Sequence, residues 1–233
     1  MPSRKNSNRI RFILDELTPP LIRDSWLVYA LLRFVFGSQA SKIRHFREVA
    51  HELTQEQFAE YYRNIRVLQQ DSDNTSGCVN RILKDVRGAS VCDVGCGRAH
   101  LISEIAKLPC VEKATGVDII IDENLRRQFP MLDLREGRIE NLPFEDNSYD
   151  TVVCTHTLEH IPDLAQAISE LRRICRQTLI IVVPMERRYR FGFNLHVNFF
   201  TYKHVFLENM RPPSDRFTCE IVDGEIYYCE QLS

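Results

Sequence analysis

The segment that most constrains the fold of this chain is VCDVGCGRAHL, which runs from Val91 to Leu101. An apolar stretch leads into two glycines, Gly95 and Gly97, at a point where a β-strand must give way to a helix. Because glycine has no Cβ, a backbone turn there can approach a nucleotide closely, and the free N–H groups at the helix start can bind an anionic group. The segment therefore predicts a strand, turn and helix that together hold a ligand.

A second acidic residue follows the glycine turn at the spacing expected of a ribose-binding carboxylate. Asp118 ends the next apolar strand, in ATGVDI, roughly 20 residues beyond the glycines. A carboxylate there can accept hydrogen bonds from both ribose hydroxyls. Turns that bind a pyrophosphate carry a third glycine, but His100 stands at that position, and the pattern here ends at Ala99 with Asp93 upstream. The spacing therefore disfavours a dinucleotide.

From Gly88 onward, apolar segments with the character of strands alternate with helical segments, which indicates a parallel sheet covered by helices on both faces. Strands are predicted over residues 90–94, 114–118, 132–136, 150–155 and 178–183, and helices are predicted to begin near Ala99, Asp122 and Asp163. Further along the chain, Thr201 is expected to cap a short helix. Asp223 with Gly224 predicts a two-residue hairpin between two apolar segments.

The first 75 residues differ from the rest and predict a small helical cap. Residues 1–9 are polar and expected to be disordered, and residues 71–77 form a predicted polar linker. The helices predicted between these two segments are short ones on either side of Pro19 and Pro20 and up to Gly37, one from Ser41 to Leu53, and one from a capping box of Thr54 and Gln57 to near Gln70.

The segment from Trp26 to Phe36 is the most apolar part of this cap, and it is too short to span a bilayer. Two placements stay open: it packs on the core as a lid over an apolar acceptor, or it lies at a membrane surface as a peripheral contact. Basic residues occur near it in the sequence, namely Arg23, Arg33, Lys42 and Arg44.

Composition narrows the class of protein. The net charge of −2 gives no signature of nucleic-acid binding, although the first 47 residues hold nine Lys and Arg against three Asp and Glu. The eight cysteines show no regular spacing, so reduced thiols are expected rather than a disulfide framework. No apolar run of about 18 residues or more occurs, and the N-terminus lacks a signal peptide's apolar core, so a cytoplasmic protein is expected.

The glycine turn, with Asp93 upstream, resembles the first motif, D-x-G-x-G-x-G, of the class I S-adenosylmethionine-dependent methyltransferases. Residues 136–163, EGRIENLPFEDNSYDTVVCTHTLEHIPD, are similar to the third and fourth motifs of the type-11 branch, which includes quinone-biosynthesis enzymes. The resemblance covers residues 88–210 and implies an α/β, Rossmann-like, mostly parallel sheet of seven strands with an antiparallel last strand. Two domains are therefore predicted: a basic helical N-terminal cap, residues 1–75, and a methyltransferase domain, residues 76–233.

The resemblance also implies S-adenosylmethionine as cofactor and S-adenosylhomocysteine as product. The residues that it places around the cofactor are Asp93, Gly95, Cys96 and Gly97 at the methionine group, Asp118 at the ribose, Ile119, Arg138 and Ile139 at the adenine, and Thr155 at the amino group. The chain departs from the family pattern at Ala99, which replaces a third glycine, and at Arg138, which replaces an aspartate that bonds adenine. No metal is expected, because transfer from a sulfonium needs mainly alignment and exclusion of water.

Three histidines are candidates for a catalytic general base beside the transferring methyl group, because an unperturbed imidazole titrates near neutral pH. His156 and His160 belong to HTLEH, and His196 lies in a stretch similar to the family's H-x-x-F-F-T, which closes the active site. A second interpretation, in which they only shape the pocket, stays open. HTLEH also fits the zinc motif H-x-x-E-H, but that motif needs a helix, and the strand before it and Pro162 after it predict a loop.

The sequence therefore predicts an enzyme that transfers a methyl group from S-adenosylmethionine to a small-molecule or lipid-linked acceptor. An RNA or protein methyltransferase is a first alternative, disfavoured because no N-P-P-Y-like signature follows the fourth strand, where CTHTLEH stands. A non-catalytic S-adenosylmethionine-binding protein is the second, because Ala99 and Arg138 depart from the family pattern.

Overall fold

The computed structural model describes residues 18–65, 73–191 and 194–232. Within those residues a single sheet contains the strands β1 (Ser90–Val94), β2 (Lys113–Asp118), β3 (Asp133–Glu136), β4 (Tyr149–Thr155), β5 (Cys175–Pro184), β6 (Phe217–Val222) and β7 (Glu225–Gln231). Their order across the sheet is β3, β2, β1, β4, β5, β7, β6. Neighbouring strands from β3 to β5 run parallel, whereas β7 is antiparallel to both β5 and β6. The predicted fold class is confirmed.

The helices of the described residues are α1 (Pro20–Arg23), α2 (Trp26–Phe36), α3 (Ser38–Val49), α4 (Gln55–Ile65), α5 (Ser76–Asp85), α6 (His100–Ile105), α7 (Glu123–Gln128), α8 (Leu164–Ile174) and α9 (Lys203–Met210), with a 3₁₀ turn over Leu158–His160. Two of the predicted starts carry an aspartate cap. The Asp122 carboxylate accepts a hydrogen bond from the backbone N–H of Leu125 at 2.8 Å, and Asp163 does the same for Gln166 at 3.1 Å.

Apolar residues alternate between the two faces of β5, and this alternation gives the sheet a core on each side. Leu179, Ile181 and Val183 belong to one buried cluster, whereas Ile180 and Val182 belong to the other. The period of two along a strand turns successive side chains to opposite faces. Helices cover both clusters, as a parallel sheet buried on both faces requires.

Two predictions about helix ends are wrong. α9 begins after Tyr202, which makes no side-chain capping bond, so Thr201 is not its cap. α3 spans residues 38–49 instead of 41–53, because Gly37, with φ 58°, ends α2 and starts α3 without a spacer. The hairpin at Asp223 and Gly224 is confirmed, since β6 and β7 flank it directly.

The capping box at the start of α4 is confirmed. The backbone N–H of Thr54 donates to the Gln57 side chain at 3.0 Å, and the N–H of Gln57 donates to the Thr54 hydroxyl at 3.4 Å. The predicted end of this helix near Gln70, and the predicted disorder of residues 1–9, lie outside the described residues.

A separate apolar cluster joins α3 and α4 to the loop after β5. Its buried members are Ile43, Phe46, Ala50, Phe58 and Leu195. Ile119, which directly follows β2, packs against the same cluster. Helices α3 and α4 therefore cover the carboxyl-terminal edge of the parallel strands, where ligands bind in open α/β sheets.

One face of α2 packs on the loop after β5, and its other face is exposed. The rings of Trp26 and Tyr29 lie 5.2 and 4.9 Å from the ring of Phe191. On the opposite face, the exposed side chains are Leu27, Leu31 and Phe34. No helix among the described residues is long and apolar enough to cross a membrane.

Candidate active site

The turn between β1 and α6 requires glycine at both predicted positions, for different reasons. Gly95 has φ 80°, and a Cβ there would lie 2.0 Å from the hydroxyl oxygen of Thr157. Gly97 has φ 53°, but a Cβ there would meet no atom within 4 Å. The turn is thus packed on the side of Gly95 and open on the side of Gly97, where a ligand can approach the backbone.

Ala99 keeps the backbone conformation that a third glycine would adopt. Its φ and ψ are 60° and 18°, in the left-handed region, and it precedes the first residue of α6. The buried alanine holds this conformation at a cost of about 1–2 kcal/mol, and its N–H donates to the Cys96 carbonyl at 2.8 Å. The departure from the family pattern therefore leaves the shape of the turn intact.

Two carboxylates lie beside the turn, and they differ in their partners. Asp118 accepts hydrogen bonds from the backbone N–H groups of Gly97, at 2.7 Å, and Ile120, at 3.2 Å. Asp93 is buried, and its Oδ1 has no hydrogen-bond partner. Burial, together with the charge of Asp118, raises the pKa of Asp93 from 3.8 to about 7. A buried carboxyl with an orphaned oxygen suits a ligand that brings a hydrogen-bond donor.

At the adenine end of the predicted site, Arg138 is engaged within the protein. Its guanidinium pairs with Glu140 at 2.6 Å and lies 5.7 Å from the ring centre of Phe58 in α4. Ile139 is buried in the core, and Ile119 is half-buried against the cap. Sequence reasoning missed Glu140, which supplies a carboxylate two residues after the expected aspartate position.

The end of β4 meets the segment that enters α5. The buried Thr155 accepts a hydrogen bond at its hydroxyl from the Asn74 side chain at 2.9 Å, and its carbonyl accepts one from the Thr157 hydroxyl at 3.0 Å. Cys96 is buried, and its Sγ lies 2.9 Å from where a Cβ on Gly116 would stand. Asn74 carried no signal in the sequence, because a polar linker residue gives no hint of the strand that it reaches.

His156 lies between two buried carboxylates. Its Nδ1 is 3.6 Å from Glu159 and its Nε2 is 3.4 Å from Glu225. Burial by itself would lower the pKa of His156, but these two carboxylates raise it to about 10. The imidazole is therefore charged at neutral pH and forms a structural ion pair, an arrangement that leaves it no capacity to take up a proton.

His160 and His196 lie together on the outer side of this ion pair, with ring centres 4.7 Å apart. His160 Nδ1 is 3.2 Å from the carbonyl oxygen of Leu195, and His196 Nδ1 hydrogen bonds to the carboxylate of Glu186. Burial and the neighbouring His196 lower the pKa of His160 to about 4. The segment 158–160 is a 3₁₀ turn, so the predicted loop is confirmed and HTLEH does not form the helix that its zinc motif needs.

A tyrosine of the cap completes the site. Tyr62 in α4 packs its ring 5.6 Å from that of His160, and its buried hydroxyl makes no hydrogen bond. Burial, followed by the charges of Glu159, Asp118 and Glu140, raises the pKa of this phenol well above its ordinary range. Tyr62 therefore lies within the field of both Asp118 and the histidine cluster, although nothing in the sequence was a reason to select it.

Residues 92–183 match the family model described as a methyltransferase domain. This part of the chain is similar to a methyltransferase domain. Along 119 residues it is 32% identical to a probable S-adenosylmethionine-dependent methyltransferase of Mycolicibacterium smegmatis, covering 48% of this chain and 44% of the relative. It is 30% identical over 107 residues to the demethylmenaquinone methyltransferase of Chlorobaculum tepidum, covering 44% of each. The chain thus spans about half the length of the curated relatives it matches.

Two solved structures share the fold of this domain. A Burkholderia thailandensis 1,6-didemethyltoxoflavin-N1-methyltransferase, solved with bound 1,6-didemethyltoxoflavin and S-adenosylhomocysteine, superposes with a TM-score of 0.59 at 16% identity, covering 76% of this chain and 86% of that one. The PH0226 protein of Pyrococcus horikoshii gives a TM-score of 0.55 at 19% identity, covering 74% and 98%. The name of the Mycolicibacterium relative gives S-adenosylmethionine as its cofactor, which is the cofactor that the sequence resemblance predicts for this chain.

Proposed function

We propose that this protein transfers a methyl group from S-adenosylmethionine to a small-molecule acceptor. The observation that carries the proposal is the pair formed by the open glycine turn and the buried Asp93, whose Oδ1 has no partner within the protein. Both lie at the carboxyl-terminal edge of β1, where open α/β sheets bind nucleotides. The residues present therefore fit the cofactor.

The methionine group would lie against Gly95 and Gly97, with Asp93 facing its ammonium group. Asp118 would accept hydrogen bonds from the ribose, and Ile119 would pack beside the adenine. When bound, S-adenosylmethionine supplies an electrophilic methyl group with a good leaving group. The protein's part is alignment and exclusion of water, which can contribute roughly 7–11 kcal/mol to a lowered barrier.

The acceptor would meet this methyl group beside His160 and His196. Tyr62 of α4 packs against His160, and Phe58 stacks on Tyr62. These rings would exclude water from an apolar acceptor ring. The relative named demethylmenaquinone methyltransferase bears a name that implies a quinone acceptor, and a small aromatic acceptor is the class that this surrounding supports best.

Calorimetry with S-adenosylhomocysteine tests the cofactor site. We expect binding by the wild-type protein and at least about tenfold weaker binding by Asp118→Ala, since the charged hydrogen bonds to the ribose are worth about 1.5–3 kcal/mol. Asp133→Ala is the matched control, because Asp133 is an acid of the neighbouring strand that pairs with Arg135. No heat with correctly folded wild-type protein would refute the proposal.

Turnover separates the enzyme from a non-catalytic binding protein. A panel of hydroxylated aromatic and quinol acceptors is incubated with radiolabelled S-adenosylmethionine, and methyl transfer is measured. We expect product with at least one of them. Cofactor binding without transfer to any acceptor or to a cell extract would favour the non-catalytic alternative.

A lipid-linked acceptor would bring the protein to a membrane surface, and we propose α2 as the contact. Leu27, Leu31 and Phe34 are 78%, 61% and 88% exposed and follow one another at the spacing of a helix face. The exposed Lys42 and Arg33 would lie toward anionic headgroups.

Sedimentation with phosphatidylglycerol vesicles tests this contact. The triple variant L27S/L31S/F34S should lose vesicle binding, whereas Met131→Ser, which changes a side chain of similar exposure elsewhere, should retain it. Equal binding by wild type and triple variant would exclude α2 as the contact.

A further inference from the structure

Three side chains on the acceptor side of the site converge in a way that methyl transfer alone does not require. Glu159, His160 and His196 each present a ligand atom, and these atoms all lie within 4.8 Å of one another. His160 and Glu159 come from the 3₁₀ turn after β4, and His196 comes from the loop after β5. Two imidazoles and one carboxylate form a familiar set of ligands for divalent transition metals.

Both imidazoles are held by their Nδ1 atoms, which leaves Nε2 of each ring as the coordinating atom. His160 Nδ1 is 3.2 Å from the carbonyl oxygen of Leu195. His196 Nδ1 is hydrogen bonded to the buried carboxylate of Glu186. Histidines that bind metals have this arrangement, because an acceptor on the other ring nitrogen fixes the tautomer and the ring orientation.

The carboxylate has one oxygen unused. Glu159 is 1% exposed, and its Oε2 makes no hydrogen bond. Its Oε1 is the atom that lies 3.6 Å from His156 and 4.0 Å from His160 Nε2. A buried carboxylate oxygen without a donor is costly, and a cation bound there would satisfy it.

The two segments that carry the ligands are tied together through their backbones. The N–H groups of Val197 and Asn198 donate to the carbonyl of Glu159 at 2.8 and 2.9 Å. The Asn198 side chain donates to the carbonyls of Leu158 and Ile161 at 2.9 and 2.7 Å. The ligands are thus preorganised on a cross-linked backbone, so closing them around an ion needs only side-chain movement.

The size of that movement is small. Zinc lies about 2.0–2.1 Å from histidine nitrogens and carboxylate oxygens, so two ligands on one tetrahedral ion are roughly 3.3–3.4 Å apart. The present spacing of up to 4.8 Å would contract by rotations of the three side chains. His156 is not a member of the set, because its two ring nitrogens face Glu159 and Glu225.

We infer that Glu159, His160 and His196 bind one divalent transition-metal ion, zinc in the first instance, with an open position that faces the methyl acceptor. The sequence predicted no metal, and this inference departs from that prediction. It rests on the proposed function in one respect: the open position would take a hydroxyl of the acceptor. The class of acceptor is therefore a phenol, catechol or hydroquinone whose oxygen becomes methylated.

The step balances without a further reagent. A hydroxyl bound to the metal would have a lowered pKa and would release its proton to solvent, as a zinc-bound water does. The resulting oxygen anion attacks the methyl carbon, an O–C bond forms, and the C–S bond breaks with its electron pair returning to sulfur. The sulfonium methyl group of S-adenosylmethionine would thus be transferred to the acceptor oxygen, and S-adenosylhomocysteine would be released.

Metal titration of the chelator-treated full chain tests the inference directly. Zinc is added in competition with a chromophoric chelator, and the bound metal is counted by mass spectrometry. We expect one zinc per chain, with affinity lowered at least about tenfold in His160→Ala, His196→Ala and Glu159→Gln. His204→Ala and His100→Ala, which change exposed histidines elsewhere, should leave it unchanged.

A spectroscopic readout distinguishes ligation from a structural effect. Cobalt added in place of zinc should give visible absorption bands of a site with nitrogen and oxygen ligands, and these should vanish in His196→Ala. Glu186→Gln, which acts through His196, should weaken zinc binding by about 10–100-fold while the cobalt bands persist at saturating metal. Binding of S-adenosylhomocysteine by each variant shows that it is folded.

The failures of the two proposals are distinguishable. No stoichiometric zinc in a protein that binds S-adenosylhomocysteine overturns the metal site and leaves the methyltransferase proposal standing. Zinc binding that survives both histidine variants also overturns it, because the metal then lies elsewhere. Zinc binding with no cofactor binding would instead overturn the proposed function alone.

Discussion

The ionisation of Asp93 should make cofactor affinity depend on pH. Its carboxyl is buried in β1, and burial with the nearby charge of Asp118 raises its pKa from 3.8 to about 7. Below pH 7 the free protein therefore holds Asp93 protonated. If the ammonium group of the ligand faces this carboxylate, binding favours the ionised form and releases a proton when the pH is low.

The size of the effect follows from the pKa. If binding lowers the pKa of Asp93 from about 7 to below 5, the affinity for S-adenosylhomocysteine at pH 6 should be about tenfold weaker than at pH 8. That corresponds to about 1.4 kcal/mol. Two neighbouring histidines do not titrate in this window, because the pKa of His160 is lowered to about 4 and that of His156 is raised to about 10.

The stability of the free protein should fall as the pH rises, whereas its affinity for the cofactor should increase. The folded pKa of Asp93 lies above its unfolded value of 3.8, so the folded state binds more protons between pH 4 and 7. The contribution of this group to stability is therefore present at low pH and lost as the pH rises to about 7. Asp93→Asn should remove both the loss of stability and the pH dependence of binding.

The assay is isothermal titration with S-adenosylhomocysteine at pH 6, 7 and 8, in buffers of differing ionisation enthalpy, on the wild type and Asp93→Asn. Proton release should be measurable at pH 6 in the wild type only. A flat affinity in the wild type, or an equal slope in the variant, would refute the reasoning that Asp93 faces the cofactor.

Four further substitutions should have effects of predictable size. Gly95→Ala would place a Cβ at positive φ and 2.0 Å from Thr157, so it should lower the free energy of unfolding by about 3 kcal/mol or more. Gly97→Ala would meet no atom and should lower it by about 1–2 kcal/mol. Equal losses of the two variants in chemical denaturation would contradict the geometry. His156→Gln leaves two buried carboxylates without their cation and should cost about 3–5 kcal/mol at neutral pH. It should also abolish the loss of stability that the wild type shows between pH 6.5 and 10, because the pKa of His156 is raised to about 10; an unchanged pH profile of thermal unfolding would count against the ion pair. Tyr62→Phe removes a hydroxyl that makes no hydrogen bond, so its stability should stay within about 1 kcal/mol of the wild type, and a larger loss by urea denaturation would reveal a partner.

Local pattern accounts for the features that were predicted correctly. The strands around Val91 and Val152, and the capping aspartates at Asp122 and Asp163, depend on residues within a few positions of one another. A period of two, a glycine turn and a carboxylate before a helix are all short-range signals. The wrong prediction of Thr201 as a helix cap also came from a local signal. A threonine near a helix start suggests a cap, but here the cap position is taken by Tyr202, one residue later.

Long-range packing accounts for what was missed. Tyr62 belongs to the cap, Asn74 to the segment entering α5, and Glu186 to the loop after β5, yet all three touch the site. Nothing adjacent to them in sequence distinguishes them from other polar or aromatic residues. Their roles arise only when helix and loop packing brings them to the strand ends.

The three histidines show most clearly the difference between what local sequence predicts and what long-range packing decides. HTLEH presented two of them together with a glutamate, and local spacing could say only that the segment was a loop. Whether His156 is a charged structural residue, and whether His160 pairs with the distant His196, depends on which carboxylates the folded chain brings within about 4 Å.

By itself, the sequence determined the parallel sheet and the glycine turn, because each is encoded in residues close together along the chain. The class of cofactor came from the resemblance of these residues to a known family. Only the tertiary structure decided the electrostatic state of the site. The pKa of a buried group depends on its desolvation and on charges from other elements, and both are properties of packing. For Asp93 and His156, those surroundings were set by residues that the chain brings together only when it folds.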